Sequence, residues 1–133
     1  MLTRAELTHI AQARLADAEA LHQAGRYDGA VYLCGYAVEV GLKHRICVTL
    51  GWTEYPSSSR EFEGLQSLKT HTLSTLLKLS GMEVLVKATH STDWTVVSAW
   101  NSESRYAPVG WSDQQRSQLF IEATHRLLTD VLL

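Results

Sequence analysis

The chain has few cysteines and prolines, no long apolar run and no dominant sign of charge. Two cysteines in 133 residues exclude the disulfide-dense class of small secreted domain. Twelve Lys and Arg against fourteen Asp and Glu give a formal net charge of −2. No overall positive field therefore attracts nucleic acid, although a local basic patch is compatible with these totals. The length fits one domain with a sizeable core.

These absences also bear on the compartment. The longest uncharged apolar stretch on a predicted helix, residues 29–38, is much shorter than the roughly 20 residues that a membrane span needs. The N-terminus carries Arg4 and Glu6 where a signal peptide has an apolar core. Cys34 and Cys47 lie on one predicted helix about 20 Å apart, too far for a disulfide. We expect a cytoplasmic protein with buried, reduced thiols and no membrane contact.

Hydrophobic periodicity predicts an all-α fold, a compact helical bundle in a single domain over residues 1–133. In the first predicted helix, Thr3 and Glu6 form a capping-box pattern and Gly25 marks the end. The predicted helices cover residues 3–24, 27–50, 72–79, 92–106 and 112–133. Residues 52–69 are predicted as a surface loop, and residues 82–90 are compatible with either strand or helix.

The second predicted helix has a narrow seam of small and apolar residues, which resembles the contact face of a packed bundle. The seam residues are Ala30, Leu33, Ala37, Val40, His44 and Cys47. Gly29, Gly35 and Gly41 each cost roughly 1 kcal/mol of helix propensity relative to Ala, which favours close approach of another helix. Simple tolerance of the glycines is the alternative. The seam and the apolar end at residues 131–133 together predict a homodimer.

Two charged residues are the first functional candidates. Glu39 lies among apolar residues of the second helix, where an unpaired carboxylate is costly. Its predicted partner is Lys43, one turn later, and Arg105 is the long-range alternative. Asn101 and Arg105 share one face of the predicted helix 92–106. Arg105 either complements the dipole at the end of that helix or presents a planar guanidinium to a phosphate.

Motifs for metal and cofactor chemistry are missing. The six histidines are scattered, with no His-Glu-x-x-His pair and no Cys-x-x-Cys motif. No Gly-x-x-x-x-Gly-Lys loop or Gly-x-Ser-x-Gly elbow is present either. We therefore expect no bound metal and no cofactor.

Two segments carry a family resemblance. Residues 26–43, RYDGAVYLCGYAVEVGLK, resemble the first half of HEPN domains (higher eukaryotes and prokaryotes nucleotide-binding). Residues 104–108, SRYAP, resemble the Arg-Tyr-Pro-like segment that follows helix four in many of them. The resemblance extends over residues 3–133 and implies an up-and-down bundle of four to five helices that usually dimerises. The family includes metal-independent endoribonucleases of toxin–antitoxin and defence systems, and non-catalytic partners of a nucleotidyltransferase.

The resemblance also implies roles for individual residues. Arg105 takes the arginine position of the family's Arg-x4–6-His motif, and Glu39 takes the acidic position that orients it. No histidine follows Arg105 at the required distance, which is a departure from the ribonuclease members. Tyr106 follows directly, but a phenol with its ordinary pKa near 10 is a poor general base. His44 could substitute only if the fold brings it close to Arg105.

Three hypotheses follow. The first is a homodimeric HEPN-like module, weakly or not catalytic, that binds RNA, a nucleotide or a nucleotidyltransferase partner through Lys43, His44 and Asn101. The second is a metal-independent endoribonuclease toxin with Arg105, Tyr106 and Glu39 as its catalytic residues. The third is a structural assembly domain that uses the loop 52–69 as its partner surface.

Overall fold

Six α-helices make up most of the chain, and a computed structural model describes all residues from 1 to 133. The helices are α1 Arg4–Gln23, α2 Tyr27–Leu50, α3 Leu73–Ser80, α4 Glu83–Thr89, α5 Ser91–Val97 and α6 Gln114–Leu127. Short 3-10 turns cover Gln66–Leu68 and Ser102–Tyr106, and a π-helical turn, Leu128–Leu132, follows α6. Two short strands, β1 Leu2–Thr3 and β2 Glu54–Tyr55, pair antiparallel. The predicted all-α fold is confirmed.

Local sequence signals position α1 as predicted. Thr3 Oγ1 accepts a hydrogen bond from Glu6 N at 3.1 Å, and Glu6 Oε2 accepts one from Thr3 N at 2.7 Å. This is the reciprocal capping box, which satisfies two of the donors that a helix start leaves free. A left-handed Gly25, with φ of 76°, then turns the chain into α2.

The long α2 is the centre of the bundle, and it is buried on more than one side. The indole of Trp100 covers Gly35, and the side chain of Leu128 covers Gly41. Gly35 and Gly41 therefore admit side chains from later in the same chain. Because these contacts lie within one chain, they give no support for a homodimer.

The predicted helix 92–106 is wrong in its second half. The helix ends at Val97, and Trp100 N donates to Val97 O at 2.9 Å to close a turn. Asn101 is extended, and its Oδ1 accepts from Glu103 N at 2.8 Å, so it caps a separate 3-10 turn. Asn101 and Arg105 thus do not share an α-helical face. Residues 82–90, which the sequence left undecided, form α4.

The segment 52–69 is irregular but well packed. Tyr55 is fully buried, and its hydroxyl donates to Leu68 O at 2.8 Å. Arg4 donates from Nε to Trp52 O and from Nη2 to Cys47 O, which ties the start of α1 to the loop. Cys47 and Cys34 are both buried and unbridged, as the sequence predicts. None of the helices has the length and apolar character to cross a bilayer.

Candidate functional site

One face of α2 carries a row of polar and aromatic side chains, which we call the polar stripe: Tyr32, Tyr36, Glu39 and Lys43. Their spacing of four, three and four places them above one another on a helix. The Tyr32 hydroxyl donates to the Tyr36 hydroxyl at 3.3 Å, and the two rings meet edge to face at 5.1 Å. The two tyrosines of the stripe are therefore in direct contact.

Glu39 is almost completely buried, with 3 % of its surface exposed, and it has two partners. Lys43 Nζ lies 3.2 Å from Oε2, which confirms the predicted pair, and His71 Nδ1 lies 2.7 Å from Oε1. Arg105, the long-range alternative, is not a partner. His71 comes from the segment before α3, and no sequence motif marks it as a site residue. The available signal was that a buried carboxylate needs more than one donor.

His71 presents its other nitrogen outward. Its side chain is 61 % exposed, and Nε2 makes no hydrogen bond within the chain. The centroid of the His71 ring lies 6.3 Å from that of the Tyr36 ring, so His71 lies beside the polar stripe. A histidine with Nδ1 held by a carboxylate has its ring orientation and tautomer defined, which leaves Nε2 available to accept a proton.

Arg105 is exposed and lies in the 3-10 turn Ser102–Tyr106. Its guanidinium lies over the Tyr106 ring, 4.8 Å from the centroid, and makes no salt bridge. The hydroxyls of Tyr106 and then Tyr32 raise the pKa of Arg105 above its ordinary value. A hydrogen bond with Tyr32, together with burial, raises the pKa of Tyr36 to about 12, and the Arg105 charge opposes this shift. The Arg105 charge thus acts on the same tyrosine that the His71 ring approaches.

The other predicted binding residues serve the fold. His44 Nδ1 donates to Leu132 O at 2.9 Å and ties α2 to the C-terminus. It lies twelve positions beyond Tyr32, about 18 Å along the helix axis, so it does not reach Arg105. Lys43 is bonded to Glu39, and Asn101 caps the 3-10 turn. The fold therefore gives no support to His44 as a substitute for the missing histidine.

A groove of about 510 Å³, which we call the corner groove, opens where the α1–α2 corner meets the segment 104–112. Its lining includes Arg26, Tyr27, Tyr32, Arg105, Trp111 and Ser112. Asp28 joins the two walls, because its carboxylate accepts from Gly110 N at 2.7 Å and from Ser112 N at 2.9 Å. Arg105 lies on this groove and beside the polar stripe, and it therefore connects the two features.

The arrangement combines an exposed, unpaired guanidinium with a histidine oriented by a buried carboxylate. Such a set can bind a phosphate and move a proton without a metal. No three His, Cys, Asp or Glu side chains lie close enough together to hold a metal ion. No protein-family model, curated protein or solved structure matches the chain.

Proposed function

We propose that the protein is an RNA-binding, HEPN-like helical module, weakly or not catalytic, in which Arg105 binds a phosphate of the RNA strand. The observation that carries the proposal is the state of the Arg105 guanidinium. It is exposed and packed on the Tyr106 ring, and it makes no salt bridge. A planar guanidinium in this state is well suited to a phosphate, because its parallel N–H donors match two phosphate oxygens.

The surroundings of Arg105 favour a single strand over a duplex. Tyr106 is 75 % exposed beside it, and Tyr32 and Trp111 line the adjoining groove. Unstacked bases of single-stranded RNA bind by stacking on such aromatic side chains, whereas paired bases are hidden in the helix. We therefore expect a preference for unpaired RNA.

The test measures binding of a labelled single-stranded RNA by fluorescence anisotropy at low salt. Arg105→Ala is expected to weaken binding about tenfold, the loss of one good phosphate contact. The slope of log affinity against log salt is expected to fall by about 0.7, the value for one contact to a single strand. Arg60→Ala removes an exposed arginine of the loop 52–69 and is the matched control.

If Arg60→Ala and Arg105→Ala lowered the affinity for RNA equally, binding would be a diffuse attraction to positive charge. That result would contradict the proposal. Absence of any binding to the wild-type protein would also overturn it. Arg105→Lys keeps the charge but loses the planar fork, so an intermediate loss is expected.

A second candidate function is metal-independent RNA cleavage, and the His71–Glu39 pair favours it. In this mechanism, His71 Nε2 accepts the proton of a ribose 2′-hydroxyl, and the 2′-oxygen attacks the neighbouring phosphorus. The bond to the 5′-oxygen breaks, a proton from water completes that leaving group, and a 2′,3′-cyclic phosphate remains. Arg105 stabilises the negative charge on the phosphorus centre. His71 then acts as the proton acceptor. In the family's ribonucleases that role belongs to the histidine after the arginine, which this sequence lacks.

The cleavage test incubates purified protein with mixed RNA in EDTA. The candidate requires cyclic phosphate ends from the wild-type protein, and their loss in both His71→Gln and Arg105→Ala. His9→Ala, on the exposed face of α1, is the matched control. Binding without cleavage would leave the module hypothesis and remove the enzyme.

The homodimer and the nucleotidyltransferase partner stay predictions from the resemblance. Within the chain, Trp100 and Leu128 cover Gly35 and Gly41 of α2, and Leu132 of the apolar end is buried in the core. Light scattering distinguishes the 14.9 kDa chain from a species of about twice that mass.

A further inference from the structure

We propose that His71 is a modification site, at which Nε2 takes a phosphoryl group from an acyl phosphate. The inference concerns the same histidine as the second candidate function, but it involves no RNA and does not depend on RNA binding. It assigns a covalent chemistry to the pair of His71 and Glu39, with acetyl phosphate as the simplest donor of the class.

The first observation is that Glu39 defines which nitrogen of the His71 ring can react. Nδ1 lies 2.7 Å from Glu39 Oε1, and a carboxylate oxygen can only accept a hydrogen bond. Nδ1 of the neutral ring therefore carries the proton, and Nε2 holds the free electron pair. Because the side chain is exposed and Nε2 has no partner in the chain, this electron pair is open to a reagent from solvent.

The second observation is that the other histidine with a carboxylate partner is not free to react. His90 Nε2 lies 3.0 Å from Asp130 Oδ2, and His90 Nδ1 lies 2.8 Å from Thr89 Oγ1. Both nitrogens are therefore occupied, and only 15 % of the His90 side chain is exposed. A carboxylate partner alone does not make a nucleophile, since the second nitrogen must also be free.

The remaining four histidines lack the carboxylate. His22 Nδ1 bonds to the Ser117 hydroxyl, and His44 Nδ1 bonds to a backbone carbonyl. His9 and His125 are exposed, but neither forms an ion pair with a carboxylate. His71 therefore combines two properties that occur separately elsewhere in the chain, an oriented ring and a free, exposed nitrogen.

The charge beside His71 is compatible with an anionic donor. Lys43 Nζ lies 3.2 Å from Glu39 Oε2, so a cation offsets the charge of the carboxylate that holds the ring. Lys69, exposed two positions before His71, adds a second cation to the same segment. The Glu39 carboxylate therefore orients the ring without presenting an unbalanced negative charge to an approaching phosphate.

The reaction balances with these groups alone. His71 Nε2 attacks the phosphorus of acetyl phosphate, and an N–P bond forms. The P–O bond to the acetyl group breaks, and acetate leaves with that electron pair. The ring keeps the Nδ1 proton and gains positive charge, which the buried Glu39 carboxylate stabilises across the Nδ1 hydrogen bond. A phosphoryl group on Nε2 would also remove the proton acceptor of the second candidate function.

The experiment incubates the full chain with acetyl phosphate in the absence of RNA. Mass spectrometry at alkaline pH locates the phosphoryl groups, because phosphohistidine hydrolyses in acid. His71 is expected to be labelled at least about tenfold faster than His9 and His125, which are exposed imidazoles without a carboxylate. Phosphorus NMR is expected to show the Nε2 isomer at His71. This comparison is made within one folded protein and needs no variant.

Two variants test the role of the carboxylate. Glu39→Gln keeps an oxygen that accepts the Nδ1 hydrogen bond but removes the negative charge, so labelling of His71 is expected to slow about tenfold. Labelling of His9 in the same sample is the internal control. Asp130→Asn changes the carboxylate of the other histidine pair and is expected to leave labelling of His71 unchanged.

Equal labelling rates at His71, His9 and His125 would overturn the modification site. A folded Glu39→Gln protein that labels His71 as fast as the wild-type protein would also overturn it, and so would attachment at Nδ1. These outcomes are distinct from those of the proposed function. A protein that binds RNA through Arg105 and labels His71 no faster than His9 would keep the proposed function and lose this site. Selective labelling of His71 in a protein that ignores RNA would do the reverse.

Discussion

The indole of Trp100 lies directly on the backbone of Gly35. A Cβ atom placed on Gly35 would come within 2.0 Å of Trp100 Cε2. The same indole donates from Nε1 to Tyr32 O at 3.1 Å, and its ring meets the Tyr36 ring at 77° with centroids 5.0 Å apart. Because Gly35 has no side chain, the Trp100 indole packs directly on α2 and contacts both tyrosines of the polar stripe.

Replacement of Gly35 is therefore expected to be severe. Gly35→Ala would push the rigid indole out of its place, and overpacking of this kind costs roughly 1–3 kcal/mol or more. Gly29→Ala is the control, because its Cβ would meet only the flexible end of Leu21 at 3.2 Å while gaining helix propensity. Urea unfolding measures both. Equal stability of the two variants would contradict the close packing.

The bidentate pair of Asp93 and Arg126 predicts an asymmetric response. Arg126 Nε and Nη2 both donate to Asp93 Oδ1, at 3.0 and 2.8 Å, and Asp93 is buried while Arg126 is half exposed. Arg126→Ala leaves a buried carboxylate without its partner and is expected to cost about 2–3 kcal/mol.

Asp93→Ala leaves the arginine able to reach water, so about 1 kcal/mol is expected. Lys87→Ala, which breaks an exposed pair with Glu83, should cost under about 0.5 kcal/mol. Thermal unfolding would contradict the asymmetry if Asp93→Ala were the most damaging of the three.

The capping box predicts a dependence of stability on pH. Hydrogen bonds from the backbone and then the side chain of Thr3 lower the pKa of Glu6 below its ordinary value of 4.5. A carboxyl whose pKa is lower in the folded state stabilises the fold above its unfolded pKa, and this contribution is lost as pH falls through the folded pKa.

The Glu6 contribution is therefore complete above about pH 5 and decreases below pH 4.5. Glu6→Gln should lower the melting temperature near neutral pH and reduce its dependence on pH between 5 and 3. An unchanged slope in Glu6→Gln would show that other carboxyls account for the acid sensitivity.

The cysteines should react slowly while the protein is folded. Burial raises the pKa of Cys34 to about 12, so almost none of it is the reactive thiolate at neutral pH, and burial raises the pKa of Cys47 as well. A thiol reagent should label two groups per chain in denaturant and far more slowly without it. Rapid labelling of the native protein at pH 7 would refute the burial of the thiols.

The sequence by itself determined the features that depend on neighbours within one turn. The capping box of Thr3 and Glu6 and the pairing of Glu39 with Lys43 follow from spacings of three and four residues. Periodicity likewise predicted α1 and α2 nearly to the residue. These interactions form wherever the helix forms, so local pattern is sufficient to predict them.

Only the tertiary structure decided which distant side chains contact the polar stripe and the corner groove. His71 reaches Glu39 across 32 positions, Trp100 reaches Tyr32 across 68, and Asp28 holds Ser112 across 84. Trp100 packs against Gly35, and α5 ends at Val97. The local sequence pattern, by contrast, predicts that the helix continues. Contacts of this range depend on how loops close and how volumes fit, and sequence spacing specifies neither.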